Sequence, residues 1–119
     1  MSDADLARSV GGGWTVATAL AHVAFWDGRV LVALDRWERE GTVPGDIDGW
    51  VVNEASTPLW LVIPPRAAAQ LALANSEAVL KRIDALGPEK SAAMWDHLNL
   101  VRGDHWSEHI EQIESALKG

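Results

Sequence analysis

The chain has 119 residues, the size of one domain built around a single hydrophobic core. Its formal charge is −7, from 17 acidic and 10 basic residues, and this balance argues against nucleic acid as a partner. The chain contains no cysteine, which excludes disulfides, zinc ligation by thiolate and a thiol nucleophile supplied by the protein itself.

The amino-terminal segment, "MSDADLARSV" followed by three glycines, is interpreted as a short polar lead-in to the domain. It lacks the basic and then apolar pattern of a secretory signal peptide. No apolar run along the chain approaches the ~20 residues that a membrane span requires. We therefore expect a cytoplasmic protein that does not enter a membrane.

A long helix is predicted over "WTVATALAHVAFWDGRVLVALDRWERE", because its apolar residues fall on one arc at the helical repeat. Thr15 is suited to cap its start and Gly41 to end it. Asp27 falls in the middle of the apolar arc, where a buried acid must be hydrogen-bonded, paired or close to a metal or water pocket. It is interpreted either as a proton acceptor near a site or as a structural partner of a Trp indole or an arginine.

The second half of the chain is predicted to add two further long helices and one shorter one. Residues 41–65 are interpreted as a connector rich in Gly, Pro and Asp, in which "LWLVI" has the composition of a short isolated strand. An amphipathic helix begins at Pro65 and is closed by Gly87-Pro88. A shorter helix covers residues 89–103, and the last runs from Asp104 to Leu117. The predicted class is all-α.

Three histidines border the apolar arcs of these helices. His105 and His109 are about one helical turn apart on the last helix, and His22 lies on the first long helix. Three neutral imidazoles completed by water form an open site for zinc or another divalent ion. The alternative is that these are ordinary half-buried histidines of amphipathic surfaces, because an HxxxH pair often occurs by chance. A metalloprotease is excluded, since Trp106 stands where its motif needs glutamate and Glu108 is expected to point away from the pair.

Two stretches resemble the DinB-like superfamily of metal-binding proteins. "GGGWTVATALAHVAFWDGRVL" is similar to the segment in which Trp-Ser/Thr-Val opens a helix that carries a histidine, and "DHWSEHIEQIESAL" is similar to the closing helix with its HxxxH pair. "VNEAS" and "LKRIDALG" fit the region between them, so the resemblance extends over residues 6–117. It implies one domain, residues 1–119, folded as an up-down helical bundle that is shortened at its first helix.

The resemblance implies that His22, His105 and His109 are the metal ligands. Zinc or nickel is the expected ion, although three histidines also accept iron, cobalt or manganese. His97 matches no ligand position and is interpreted as a surface residue or a neighbour of the ligands. A bundle that lacks one helix exposes an apolar strip, which residues 88–102 or a second copy of the chain could cover. Of these two, we expect the second copy, in a homodimer.

The resemblance also implies an activity. Characterised members include mycothiol-dependent maleylpyruvate isomerase and S-transferases that use mycothiol or bacillithiol, in which a low-molecular-weight thiol attacks a small electrophile. A metal-dependent hydrolase, with bound water as nucleophile and Asp27 or another acid as base, is a second interpretation. A metal-binding or structural homodimer without catalysis is a third.

Overall fold

The computed structural model describes residues 1–41, 48–98 and 104–118, without the side chains of residues 87, 88, 90–98 and 104–107. Over these ranges the chain is almost entirely helical, which confirms the all-α class. The elements are α1 (Asp3–Leu6), β1 (Ser9–Gly11), β2 (Trp14–Thr15), α2 (Val16–Glu40), α3 (Gly49–Leu61), α4 (Pro65–Leu98) and α5 (Asp104–Lys118).

Helix α2 is the centre of the fold, and both of its predicted ends are confirmed. The Thr15 hydroxyl accepts a hydrogen bond from the Thr18 N–H, and Gly41 closes the helix at a φ of 71°, in the left-handed region that favours glycine. By length and composition α2 also qualifies as a membrane span. However, 72% of its most apolar window is buried inside the fold, so packing against the other helices already accounts for its apolar residues.

The interpretation of residues 41–65 as a connector is wrong, because Gly49–Leu61 form helix α3. Its start is capped by Asp48, whose carboxylate accepts hydrogen bonds from the N–H groups of Trp50 and Val51. The helix continues through Pro58, so most of "LWLVI" is helical rather than a strand. Burial of Trp60, two residues after the proline, holds this last turn against the core.

Helices α3 and α4 run in opposite directions along α2. The Trp60 ring lies 4.9 Å from the His22 ring, and the Trp26 indole N–H donates to Asn53 at 2.9 Å, so α3 is antiparallel to α2. Helix α4 is parallel to α2, and both bury apolar residues in a shared cluster of Val30, Leu34, Val79 and Leu86.

The prediction that Gly87-Pro88 closes the helix beginning at Pro65 is wrong, because α4 continues unbroken to Leu98. Leu86, immediately before the pair, is 8% exposed and packs in the cluster shared with α2. Such packing outweighs the unfavourable helix propensity of proline, about 3 kcal/mol in a helix interior.

The interpretation of the amino-terminal segment as a polar lead-in is also wrong. Helix α1 and the antiparallel pair β1–β2 fold against the ends of α2 and α5, and Leu6 is completely buried. The Arg8 guanidinium donates to the carbonyls of Ala116 and Leu117 in the last turn of α5, where free carbonyls need donors. Helix α5 is antiparallel to α2, so the four long helices alternate in direction along the chain.

Candidate metal-binding cleft

A cleft of about 670 Å³ opens between α2, α3, α5 and the turn that joins β1 to β2. Polar side chains reach it from three helices, and tryptophan rings form part of its wall. The described residues that line it are Gly12, Trp14, His22, Gly49, Trp50, Asn53, Glu54, Thr57, Glu108 and His109. This is where two of the three predicted metal ligands lie.

His22 and His109 come together from two antiparallel helices at the inner wall of the cleft. Their ring centres are 4.6 Å apart with the planes at 72°, and the residues are only 2% and 7% exposed. Two tryptophans hold His22 in place, since the rings of Trp14 and Trp60 each lie 4.9 Å from it. Trp14 also stacks over His109, with the two rings inclined at 22°.

The tautomer of His109 follows from its hydrogen bond. Its Nδ1 lies 2.7 Å from the amide oxygen of Gln112, one helical turn further along α5. An amide oxygen only accepts, so Nδ1 donates this bond, and in the neutral ring the lone pair lies on Nε2. Metal-binding histidines are commonly oriented by such a bond from the ring nitrogen that does not ligate.

The spacing of the two rings fits shared ligation of one ion. An imidazole bound through one nitrogen has its ring centre about 3.2 Å from the metal, so two such ligands separated by roughly 90° to 110° have centres roughly 4.5 to 5.2 Å apart. The observed 4.6 Å lies within that range. The separation of the two ring centres is therefore compatible with two imidazole ligands of one ion.

The third predicted ligand, His105, lies one turn before His109 on α5, but its side chain is outside the described residues. The same holds for His97 on α4. Among the side chains that the structure does describe, no group of three or more His, Cys, Asp or Glu residues is arranged to hold a metal. The described part of the chain thus brings together His22 and His109, and the ligand role of all three histidines stays a prediction.

Asp27 is buried, at 2% exposure, as its place in the apolar arc of α2 predicts. It follows His22 by five residues, which turns its side chain about 140° around the helix. Accordingly, it is not among the described residues of the cleft wall. Its expected role as a proton acceptor stays a prediction, and the geometry places it outside the cleft.

The wall that α3 contributes was not predicted, because residues 41–65 were interpreted as a connector. Asn53 is fixed there by two bonds: its side-chain oxygen accepts from the Trp26 indole, and its carbonyl accepts from the Thr57 hydroxyl at 2.7 Å. The sequence did contain a signal for this helix, since Asp48 is suited to cap a helix start and Asn53 and Thr57 follow at the i, i+4 spacing of one helix face. Glu108, expected to point away from the histidines, also lines the cleft.

Comparison of the chain with protein-family models, with curated proteins and with solved structures returns no match. The resemblance to the DinB-like superfamily therefore rests on the sequence motifs alone and stays a prediction.

Proposed function

We propose that this protein binds one divalent ion, zinc or nickel, through His22, His105 and His109, and uses it to activate a low-molecular-weight thiol. The observation that carries the proposal is the buried pair of His22 and His109, which meets at the wall of an open cleft. An ion held there has protein ligands behind it and space for a small molecule in front of it, as in catalytic rather than structural sites. A cytoplasmic location, where such thiols are kept reduced, is part of the same proposal.

When bound, the ion would lower the pKa of a thiol ligand and so favour its nucleophilic thiolate form. The chain's own residues would position the reactants. Gln112 accepts the hydrogen bond from Nδ1 and so orients the His109 ring, and Trp14 and Trp60 shield the ring of His22 from water. Because the chain has no cysteine, the attacking sulfur must belong to the bound thiol. This supports an S-transferase or isomerase that works on a small electrophile.

Asp27 does not support the hydrolase interpretation, since it does not line the described cleft. The carboxylates that do reach the cleft are Glu54 and Glu108. Hydrolysis would therefore need one of these two glutamates, rather than Asp27, as its base.

The first experiment is elemental analysis of protein purified without a histidine tag, with variants His105→Ala and His109→Ala beside it. We expect close to one zinc or nickel per chain in the parent and loss of the metal in both variants. His97→Ala is the matched control, since it removes an imidazole at a position that matches no ligand. A parent that stays metal-free after incubation with zinc, nickel or manganese would rule out the proposal.

A structural homodimer is a second candidate, and one feature of α3 favours it. Val51, Leu59 and Val62 lie on one side of the helix and are 61%, 67% and 78% exposed. Such an exposed apolar strip is typical of a surface that a second protein chain covers. Glu54 is the only charged residue in α3, so little charge opposes pairing of two α3 helices.

The homodimer is tested by sedimentation velocity on the parent and on Leu59→Glu, with Leu73→Glu as control because Leu73 is 62% exposed on α4 instead. We expect a dimer that Leu59→Glu dissociates and Leu73→Glu preserves. A monomeric parent at micromolar concentration would exclude this dimer.

A further inference from the structure

Two glutamates line the cleft. Glu54 reaches the cleft from α3 and Glu108 from α5, and neither forms an ion pair with a described residue. Elsewhere in the fold, Arg82 of α4 pairs with both Asp35 and Glu38 of α2. Among the described residues that line the cleft there is no lysine or arginine. The described wall therefore presents two uncompensated negative charges to whatever enters it.

Aromatic rings border the same space. Trp14 lines the cleft beside the histidines, and Trp50 stands at its edge with 80% of its surface exposed. A tryptophan so exposed contributes little to the packing of α3, whereas the face of an indole attracts cations. Carboxylates combined with tryptophan faces are the chemistry by which proteins recognise ammonium groups.

We propose that the cleft recognises its ligand by an ammonium group, held by Glu54 and Glu108 and bordered by Trp14 and Trp50. In combination with the proposed function, the favoured ligand is an aminothiol, with its sulfur directed to the histidines and its ammonium group to the glutamates. The sulfur end of this assignment rests on the proposed function. The ammonium end does not, because it uses residues outside the predicted metal ligands.

Three small thiols test the proposal on the zinc-loaded protein: cysteamine, 2-mercaptoethanol and 3-mercaptopropionate, which carry a positive, a neutral and a negative end group. Dissociation constants are measured by quenching of tryptophan fluorescence. We expect cysteamine to bind about tenfold more tightly than 2-mercaptoethanol, from two partly solvated ion pairs and a cation–π contact. 3-Mercaptopropionate should bind most weakly, and added salt should reduce the differences.

An ammonium group also lowers the pKa of its own thiol, so the decisive comparison is between variants. The double variant Glu54→Gln/Glu108→Gln should lose most of the preference for cysteamine, while binding of 2-mercaptoethanol changes by less than about twofold. Glu111→Gln is the matched control, because it removes one exposed charge of α5 that does not line the described cleft. A preference for cysteamine that survives in the double variant would overturn the proposal.

A second measurement separates this proposal from the metal site. Phenethylamine and phenethyl alcohol are titrated into protein treated with a chelator, and NMR shifts of the tryptophan indole N–H groups are followed. We expect the amine to shift the cleft signals several-fold more strongly, in a manner abolished by the double variant. Glutamate-dependent binding of the amine by a protein that takes up no zinc would leave this proposal standing and refute the proposed function. Zinc-dependent binding of all three thiols with equal affinity would support the proposed function and refute recognition of an ammonium group.

Discussion

The hydrogen bond between His109 and Gln112 offers a direct test of how the chain prepares a metal ligand. Gln112→Met keeps the length and the helix propensity of the side chain but removes the oxygen that accepts from Nδ1 at 2.7 Å. Loss of such a partner typically lowers metal affinity by 10- to 100-fold. Because Gln112 is uncharged and exposed, we expect the lower end, about tenfold or 1.4 kcal/mol.

The assay is competition between the protein and a chelator of known zinc affinity at neutral pH, for the parent, Gln112→Met and Glu111→Met. Glu111 is the control, because it is the exposed neighbour of Gln112. Urea denaturation of the metal-free proteins accompanies it, and there Gln112→Met should lower the free energy of unfolding by no more than about 1 kcal/mol. Equal zinc affinity of Gln112→Met and the parent would refute the role assigned to the His109 tautomer.

Three further predictions concern the fold that carries the cleft. Leu34→Ala should lower the free energy of unfolding by about 2–5 kcal/mol in urea denaturation, because Leu34 is completely buried. The control Val32→Ala, at a site 59% exposed, should change it by less than about 0.5 kcal/mol. Equal losses of stability in the two variants would show that α2 packs by another face. Asn53→Leu removes the acceptor of the Trp26 indole and should cost about 1–2 kcal/mol in the same assay, so no change would contradict that bond. The hydrogen bonds with Ser2 lower the pKa of Asp5 below its ordinary 3.8. The ionised Asp5 carboxylate should therefore stabilise the fold fully above pH 3.8, and this stabilisation should be lost as the pH falls through the lowered pKa. In acid titration of the free energy of unfolding, Asp5→Asn should lack this loss.

Features fixed by neighbouring residues could be predicted from sequence. The ends of α2 depend on a threonine that accepts from a nearby N–H and on a glycine that adopts a positive φ, and both are local properties. The meeting of His22 and His109 was also within reach. Each residue borders an apolar arc, and residues at the edge of a core-facing arc meet when two helices pack antiparallel.

Features fixed by distant contacts could not be predicted. Pro58 and Gly87-Pro88 are strong local signals against a helix, and in both places the chain is helical. Trp60 and Leu86 are buried close to these glycine and proline residues. Their packing against other helices outweighs the low helix propensity of glycine and proline. The amino-terminal segment has the same explanation, since burial of Leu6 depends on α2 and α5 rather than on its polar neighbours.

The residues that line the cleft come from different helices. The histidines come from α2 and α5, whereas Asn53, Glu54 and Thr57 come from α3. Under the two proposals, the histidines of α2 and α5 determine which ion binds, whereas Glu54 of α3 and Glu108 of α5 determine which ligand accompanies it. Glu54→Gln should then change the order of affinity for charged and neutral thiols while the zinc affinity stays within about twofold, because Glu54 is an exposed charge outside the predicted ligand set. A large loss of zinc affinity in Glu54→Gln would instead make this carboxylate part of the metal site and merge the two functions in one group.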